Sequence, residues 1–431
     1  LKTTAVKPIS LLPVLSVNFI GMLGYSIIMP FLVFLVNRFG GNEFVYGVLG
    51  SIYPAFQFVG APILGRWSDT FGRRKILLLS QIGTLLAWFV FLTALYLPVD
   101  ELFEVESSSI GAFEVTIPLL FLFLARALDG LTGGNVSVAN AYLSDISNDD
   151  NRKANFGKMA MSSSLGFIIG PSLAGLLGAT EYGETIPVLA AILISTIAVY
   201  LIWFRLPESN THLVEPQARF SLKRVFSFEH KECYKMQKCK DTSFKSILAI
   251  PHVFFMLVIY FLTFLAFSFF YGSFPMHALK HLAWNSLELG IFFSFLSGLM
   301  ILVQGPLLSY LSKRISDARL VVFGSLMLVL NFSVMANGNE LVLYLAAVLF
   351  ALGNGLMWPS FLSILSKLGG ENQQGSVQGV ANSSGSLASI LGLIFGGYLY
   401  GIIGSATFYM AAGILLLVFI LSFRMFRMSD L

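Results

Sequence analysis

The sequence predicts an all-α polytopic membrane protein with twelve transmembrane helices arranged as two six-helix bundles. Three observations predict it: long uncharged runs, sparse charge overall, and a pattern that repeats across the chain. Charged residues are 12% and apolar residues 56% of the 431 residues, where soluble domains carry about 25% charge. Mean hydropathy is +0.78. Between Lys7 and Arg38 there is no Asp, Glu, Lys, Arg or His, and a run of that length exceeds the ~20 residues that cross a ~30 Å hydrocarbon core. Lipid offers the backbone no hydrogen-bond partners, so such runs form helices or a closed barrel. They are far longer than barrel strands and show no two-residue alternation, which leaves helices.

Apolar runs at about 10–37, 44–64, 76–98, 116–143, 157–179 and 185–205 give six spans. Runs at about 247–276, 286–311, 319–337, 340–366, 376–400 and 404–423 give six more. Span one is too long for a signal peptide and lacks a small-residue cleavage site. Span two holds Tyr53 and Gln57 and runs into a charged turn, Gly65-Arg-Trp-Ser-Asp69-Thr-Phe-Gly72-Arg73-Arg74-Lys75. Four basic residues and an aspartate in eleven positions suit a tight connection outside the hydrocarbon. Residues 98–116 carry Asp100, Glu101, Glu104, Glu106 and Glu114 with no basic residue and read as a loop on the opposite side.

In span four, Arg126, Asp129, Gly133, Ser137, Asn140 and Ser144 recur at spacings of 3, 4, 4, 3 and 4, one face of a helix. A polar stripe in a membrane faces protein or a water-filled cavity, and Arg126 and Asp129, one turn apart, can pair. Pairing with arginine favours a charged carboxylate and desolvation favours a neutral one, so proton exchange at Asp129 hinges on which effect dominates. In span five, Gly166, Gly170 and Gly175 with Pro171 make one nearly side-chain-free surface, suited to backbone-to-backbone packing and a bend. Span seven carries ten aromatics between Phe254 and Phe274, either cavity lining or lipid-facing filler. Tyr25, Tyr53, Gln57, Asn354 and Trp358, in spans one, two and ten, are amphipathic or polar cavity candidates.

The positive-inside rule orients the chain. With the N-terminus in the cytoplasm, every Lys and Arg except Arg38, Lys280 and the intramembrane Arg126 lies on the cytoplasmic side. The pI near 8.9 therefore reflects topology and an anionic inner leaflet, not nucleic acid. Residues 207–245 are the longest polar stretch and divide the spans six and six: an N-terminal bundle over 1–206, a cytoplasmic linker, and a C-terminal bundle over 246–431. Basic and apolar residues alternate in that linker, as in a segment lying on the inner membrane face or in a tether. Cys233, Cys239 and His230 fall there and make a poor zinc set. His277 and His281 share a face near Glu288 and make a poor one too. No metal and no cofactor are expected.

The halves overlay. Gly305-Pro-Leu-Leu-Ser309-Tyr-Leu-Ser312-Lys313-Arg314 echoes the charged turn 240 residues on, Asn354-Gly-Leu echoes Asp129-Gly-Leu, and Ser386 to Gly397 echoes Ser164 to Gly175. Repeated halves point to alternating access around a site near the midplane.

Twelve spans with this turn resemble the major facilitator superfamily. The turn follows that family's pattern Gly-x-Leu-(Ala/Ser)-Asp-Arg-x-Gly-Arg-(Lys/Arg), with Trp67 for Leu and Thr70 for the first Arg. Gly166-x-x-x-Gly170-Pro171-x-x-x-Gly175 is similar to the motif of the family's antiporters. Arg126-Ala-Leu-Asp129-Gly130-Leu-Thr-Gly133-Gly134-Asn135 and Gly24-Tyr-Ser-Ile-Ile-Met-Pro30 resemble the drug:proton antiporters of the tetracycline-resistance type. The resemblance covers the whole chain.

It implies the major facilitator fold and a gate at Gly65, Asp69, Gly72, Arg73 and Arg74 that holds the outward-facing state. On physical grounds Asp69 can lock to Arg73 or to a helix N-terminus, and Gly65 and Gly72 permit close approach and a tight turn. There is one departure. Similar drug exporters often place an acid three positions before the glycine matching Gly24, where this chain has Gly21, with Asn18 the nearest polar side chain.

The expected function is alternating-access, proton-coupled efflux of small amphipathic compounds, with Arg126 and Asp129 central. Asn18, Tyr25, Tyr53, Gln57, Asn354 and Trp358 complete the expected site. The alternative is an exporter or facilitator of a metabolite, siderophore or lipid-like substrate without proton coupling. No nucleophile constellation or phosphate loop points to an enzyme, and no appended soluble domain points to a receptor. The protein is expected to sit in a plasma (inner) membrane as a monomer.

Overall fold

The computed structural model describes residues 11–133, 135–147, 152–209, 247–336, 339–368 and 370–427. The basic linker, with Cys233, Cys239 and His230, lies outside the described residues, apart from Pro207, Glu208 and Ser209. Eleven described helical stretches are long and apolar enough to cross a membrane. The last, Val377–Phe426, is 50 residues long, and at ~1.5 Å per residue it would be about two and a half times the height of a bilayer core. It holds two helices, Gly370–Ile403 and Thr407–Ser422, joined by a turn over Gly404–Ala406 in which Gly404 has φ +55. The twelve expected spans are therefore present.

Three elements differ from the sequence expectation. Span two is helical from Glu43 to Phe71 and span three begins at Arg73, so the charged "loop" is mostly helix and its turn is a single residue. Gly72 makes that turn at φ +101 and ψ 146, a region used almost only by glycine and costing other residues on the order of 1–3 kcal/mol. Span one is interrupted, Leu12–Ile27 and then Leu32–Arg38, around Pro30, which has no N–H for the helical ladder. Residues 98–116 are no loop. Strands β1 (Glu101–Ser107) and β2 (Gly111–Thr116) pair antiparallel. Phe103 and Val105 alternate with Glu104 and Glu106, and Phe113 and Val115 flank Glu114, the two-residue period of a half-buried hairpin. Its apolar side helps line a cavity of about 310 Å³ with Phe44, Val48 and Phe123. The hairpin is tied to the span one–two connection: Glu114 N–H donates to Gly40 O at 2.9 Å and Asn42 Nδ2 to Ile110 O at 2.8 Å.

The helices pack in a repeated pattern. Span one (Leu12–Arg38) packs on span five (Arg152–Gly178) and span six (Thr185–Arg205). Span three (Arg73–Tyr96) packs on span four (Ile117–Ile146) and span six, and span two packs on span four. Six spans later the same pairs recur. Span seven (Val253–Lys280) packs on spans eleven and twelve; span nine (Asp317–Met335) packs on span ten (Glu340–Leu368) and span twelve; span eight (Ser286–Leu311) packs on span ten.

Between the two sets, span two meets span eleven and span five meets span eight. Glycine makes both meetings possible. A Cβ on Gly175 would lie 2.5 Å from Gly290 Cα, and one on Gly397 3.0 Å from Gly47 Cα. All four lie toward the acidic, hairpin-bearing end. The Lys280–Glu43 ion pair and the bond from Tyr46 Oη to Tyr271 O (3.1 Å) also join the sets there. At the middle of span eight and toward its other, basic end, a Cβ on Gly298 or Gly305 would meet nothing within 4 Å among the described residues.

Candidate functional site

Span four positions the centre of the site, and glycine decides how closely its neighbours approach. A Cβ on Gly130 would lie 2.5 Å from Tyr53 O, and one on Gly60 would lie 2.1 Å from Leu131 O. Spans two and four therefore touch backbone to backbone, and Tyr53 is carried onto Arg126. The guanidinium carbon stands 4.8 Å from the Tyr53 ring centroid and 5.8 Å from that of Tyr25. The two rings are 4.6 Å apart. Arg126 is 4% exposed, yet its ion pair with Asp129 is long, 3.5 Å from Nη1 to Oδ2, and its Nε–H has no hydrogen-bond acceptor among the described residues. A buried guanidinium held by two π-faces and one distant carboxylate is under-satisfied.

Just beyond the pair, span four breaks. Its helix runs Ile117–Thr132 and resumes at Asn135. The Gly133 carbonyl left over at the break accepts from Gln57 Nε2 at 2.9 Å, and Gln57 Nε2 also donates to Tyr53 Oη at 3.2 Å. The break splits the polar stripe expected along one face: Arg126 and Asp129 belong to the first segment, Ser137, Asn140 and Ser144 to the second, and Ser137 is exposed. Irregular backbone inside a span is tolerated where side chains or water satisfy it, as Gln57 does here.

Of the eight expected substrate or coupling residues, five gather: Arg126, Asp129, Tyr25, Tyr53 and Gln57. Asn18 does not join them. It is buried against span five, where its Nδ2 donates to Ser163 Oγ at 2.7 Å and Met159 O at 3.1 Å. Trp358 lies in a second-half aromatic cluster, 5.1 Å from both Tyr260 and Phe264, and Asn354 is part-buried one turn before it.

Span three supplies residues that the sequence reading missed. Thr84 is placed to hydrogen-bond the Asp129 carboxylate. Trp88 Nε1 would be 4.0 Å from a Cβ on Gly24 and, like Gln81 Oε1, has no hydrogen-bond partner among the described residues. Gln81, Thr84 and Trp88 stand at helical spacing, a signal available in the sequence but weak beside the charges of span four.

At the basic end, Arg73 is nearly enclosed by carboxylates. It pairs with Asp69, and its Nε reaches Asp145 Oδ2 at 3.0 Å. Ser68 Oγ accepts from its Nη1 at 2.7 Å. Glu208 accepts from the backbone N–H of Arg73 (2.8 Å) and of Arg74 (3.2 Å), a carboxylate on the N-terminus of span three. A Cβ on Gly72 would lie 2.5 Å from Glu208 Oε2. Gly65, expected to permit close helix approach, has no described atom within 4 Å of its Cβ position, so helix packing in this conformation does not require glycine there. In span five, Gly166 and Gly170 face span one rather than the other half: their Cβ atoms would lie 2.5 Å from Phe19 O and 2.0 Å from Ser26 Oγ. Gly175 alone of the three reaches across. Pro171 is buried within the same helix.

A family model described as Major Facilitator Superfamily matches residues 14–388 and, in a second match, residues 256–430. The chain belongs to the major facilitator superfamily. Its members similar to this chain include the class E tetracycline resistance protein of Escherichia coli, 26% identical over 395 residues, covering 90% of this chain and 86% of that protein. Among solved structures, that of the human organic anion transporter MFSD10 (TETRAN) is similar at a TM-score of 0.68 and 20% identity, covering 96% of this chain and 98% of that one. A D-xylose-proton symporter gives a TM-score of 0.73 at 11% identity over 96% of each chain, a likeness of fold. The chain is thus a multi-pass membrane transporter of the superfamily and not an enzyme.

Proposed function

We propose that this transporter exports small amphipathic compounds in exchange for protons, by alternating access at a site between its halves. The observation that carries the reading is the buried Arg126–Asp129 pair, one carboxylate and one guanidinium held 3.5 Å apart beside aromatic faces. A pair that loose can trade partners during a cycle, with Asp129 as the proton carrier and Tyr25, Tyr53 and Gln57 lining the substrate's path. The likeness to tetracycline resistance proteins supports efflux. Contacts between the halves at the acidic end, with open space at Gly298 and Gly305, support a conformation facing the basic end.

In this reading the basic end and both termini face the cytoplasm across a plasma (inner) membrane; the distribution of Lys and Arg supports that orientation. The Asp69–Arg73 pair is intact while the basic end is open, so it gates that side only once a contact from the second half joins it. The protein works as a monomer, with the proton as its coupling ion and without a cofactor or nucleic-acid partner.

Proton movement in proteoliposomes tests the coupling. Substrate addition to wild type should move protons against it, and Asp129→Asn should abolish that movement while the protein remains folded. Unchanged transport in Asp129→Asn that also ignores an imposed pH gradient would refute the exchange mechanism. That outcome leads to a second reading, an exporter or facilitator of a metabolite, siderophore or lipid-like compound without proton coupling. Gly21, standing where similar drug exporters carry an acid, favours it.

A further inference from the structure

The β-hairpin roofs a cavity of about 310 Å³ that lies apart from the span-four site. Its walls include Phe44 and Val48 of span two and Leu120 and Phe123 of span four, under Phe113 and Val115 of the hairpin, and every side chain lining it is apolar. Water inside would find no side-chain partner, and a cavity of that kind stays dry. Span four begins at Ile117, so at ~1.5 Å per residue Phe123 stands about 9 Å below the rim. The cavity therefore runs from the hairpin down into the spans. It also opens sideways. Leu120 is 47% exposed, and Leu124, one turn further along the helix, is 54% exposed, so this wall reaches the apolar flank of the transporter that lipid covers.

The hairpin carries charge on its other face. Across the strands Phe103 stands opposite Val115 and Val105 opposite Phe113, while Glu104 stands opposite Glu114. Like charges placed opposite each other are unfavourable, and no lysine or arginine occurs between Lys75 and Arg126 to relieve them. The cations at this end are engaged elsewhere, Arg38 with Glu184 and Lys280 with Glu43. With Asp100, Glu101 and Glu106 close by in sequence, the rim of the cavity lies in a negative field that reaches ~8–10 Å through salt solution.

We propose that this cavity is a phospholipid site: it takes one acyl chain from the leaflet at the acidic end, and the hairpin favours a headgroup ending in an ammonium over an anionic one. An acyl chain suits a wholly apolar space that is open to the membrane. Its headgroup then lies level with the hairpin, within the field of the carboxylates. The bound chain restores the dispersion contacts that the cavity lining lacks and braces the hairpin on span two, beside Gly47 and its meeting with span eleven. The site stands whatever the transported compound is and whether or not protons move with it.

The delipidated full chain in detergent tests this, titrated with phosphatidylethanolamine, phosphatidylglycerol or the chain-free headgroup glycerophosphoethanolamine and read by native mass spectrometry and thermal shift. Phosphatidylethanolamine should occupy one site and raise the unfolding temperature. It should bind on the order of fivefold tighter than phosphatidylglycerol, the effect of about one unit charge near a charged surface. The headgroup alone should not bind. Val48→Trp, which fills the cavity, should weaken lipid binding about tenfold or more, whereas Leu193→Trp, on the exposed flank of span six, should not. Glu104→Gln combined with Glu106→Gln should keep the lipid bound and erase the headgroup preference. Equal binding of the two lipids by wild type, binding of the headgroup alone, a preference that survives the glutamine pair, or equal effects of Val48→Trp and Leu193→Trp would each overturn the proposal. So would a dimer that binds no lipid and dissociates in Val48→Trp, which would assign the face to a second copy of the chain. If Val48→Trp does not fold, Leu120→Trp at the open wall takes its place, and the wild-type lipid panel can overturn the proposal without either.

Discussion

Glu208 lies 135 residues from the Arg73 N–H that it caps, and only the fold brings them together. Its carboxylate and Gly72 are physically linked. Glu208 offers its carboxylate to the orphan N–H groups that begin span three, and glycine at position 72 leaves it room. Glu208→Ala should cost about 1–2 kcal/mol of stability, the worth of a lost cap and a lost charge at a helix N-terminus. Gly72→Ala should cost more, since it adds the strain of φ +101 to a clash with Glu208 Oε2. In the double variant the clash is gone, so the two losses should sum to less than their separate values. Denaturant or thermal unfolding of the four proteins checks this, and strict additivity would sink the coupling. Arg126 and Asp129, by contrast, were legible: intramembrane charge is expensive enough to stand out in any sequence. Their long separation and the orphan Nε–H belong to geometry and could not be read, and Thr84 gave only the weak signal of its helical spacing from Gln81 and Trp88.

At the scale of elements, composition located nearly every span, while its breaks depended on single residues. Pro30 interrupts span one, Gly133 ends the first segment of span four, and span eight loosens into a π-helical turn over Val303–Leu307 around Pro306. The β-hairpin was overlooked because its four carboxylates, with Asp100 just before it, read as a solvated loop, although Phe103, Val105, Phe113 and Val115 carry the alternation. The glycine motif of span five proved more divided than its spacing implied, with two positions facing span one and Gly175 facing span eight. Because Gly175 and Gly290 meet through backbone atoms, no side-chain rearrangement can absorb an added group. Gly290→Leu should therefore wedge spans five and eight apart at the acidic end. Spin labels at Tyr182 and Leu287 should report a longer and broader distance than in the unsubstituted background, with transport lost. An unchanged distance would mean that this seam does not hold the acidic end closed.

Across the whole molecule, the repeat seen in sequence becomes a repeat of contacts. Gly170 packs on Ser26 as Gly392 packs on Ser268, and Gly175 meets Gly290 as Gly397 meets Gly47. The basic-end clamps repeat too, with charge reversed: Arg73 on span three pairs with Asp145 on span four, while Asp317 on span nine bonds Lys367 (2.9 Å) and Ser363 (2.8 Å) on span ten. Such symmetry gives each end of the molecule an equivalent set of surfaces, and here the acidic end has them joined. If the cycle exchanges one closed end for the other, span eight must find at its basic end the kind of close neighbour it has at Gly290. Gly305, whose Cβ position has no described atom within 4 Å, is where that approach should occur. Gly305→Leu should then leave folding nearly untouched, within about 0.5 kcal/mol as for other uncrowded positions, and keep the Tyr182–Leu287 distance short. Substrate should still bind from the basic side, but turnover in proteoliposomes should stop because the basic end can no longer close. Wild-type turnover in Gly305→Leu would show that span eight closes elsewhere, and that the echo of the charged turn marks ancestry and not a second gate.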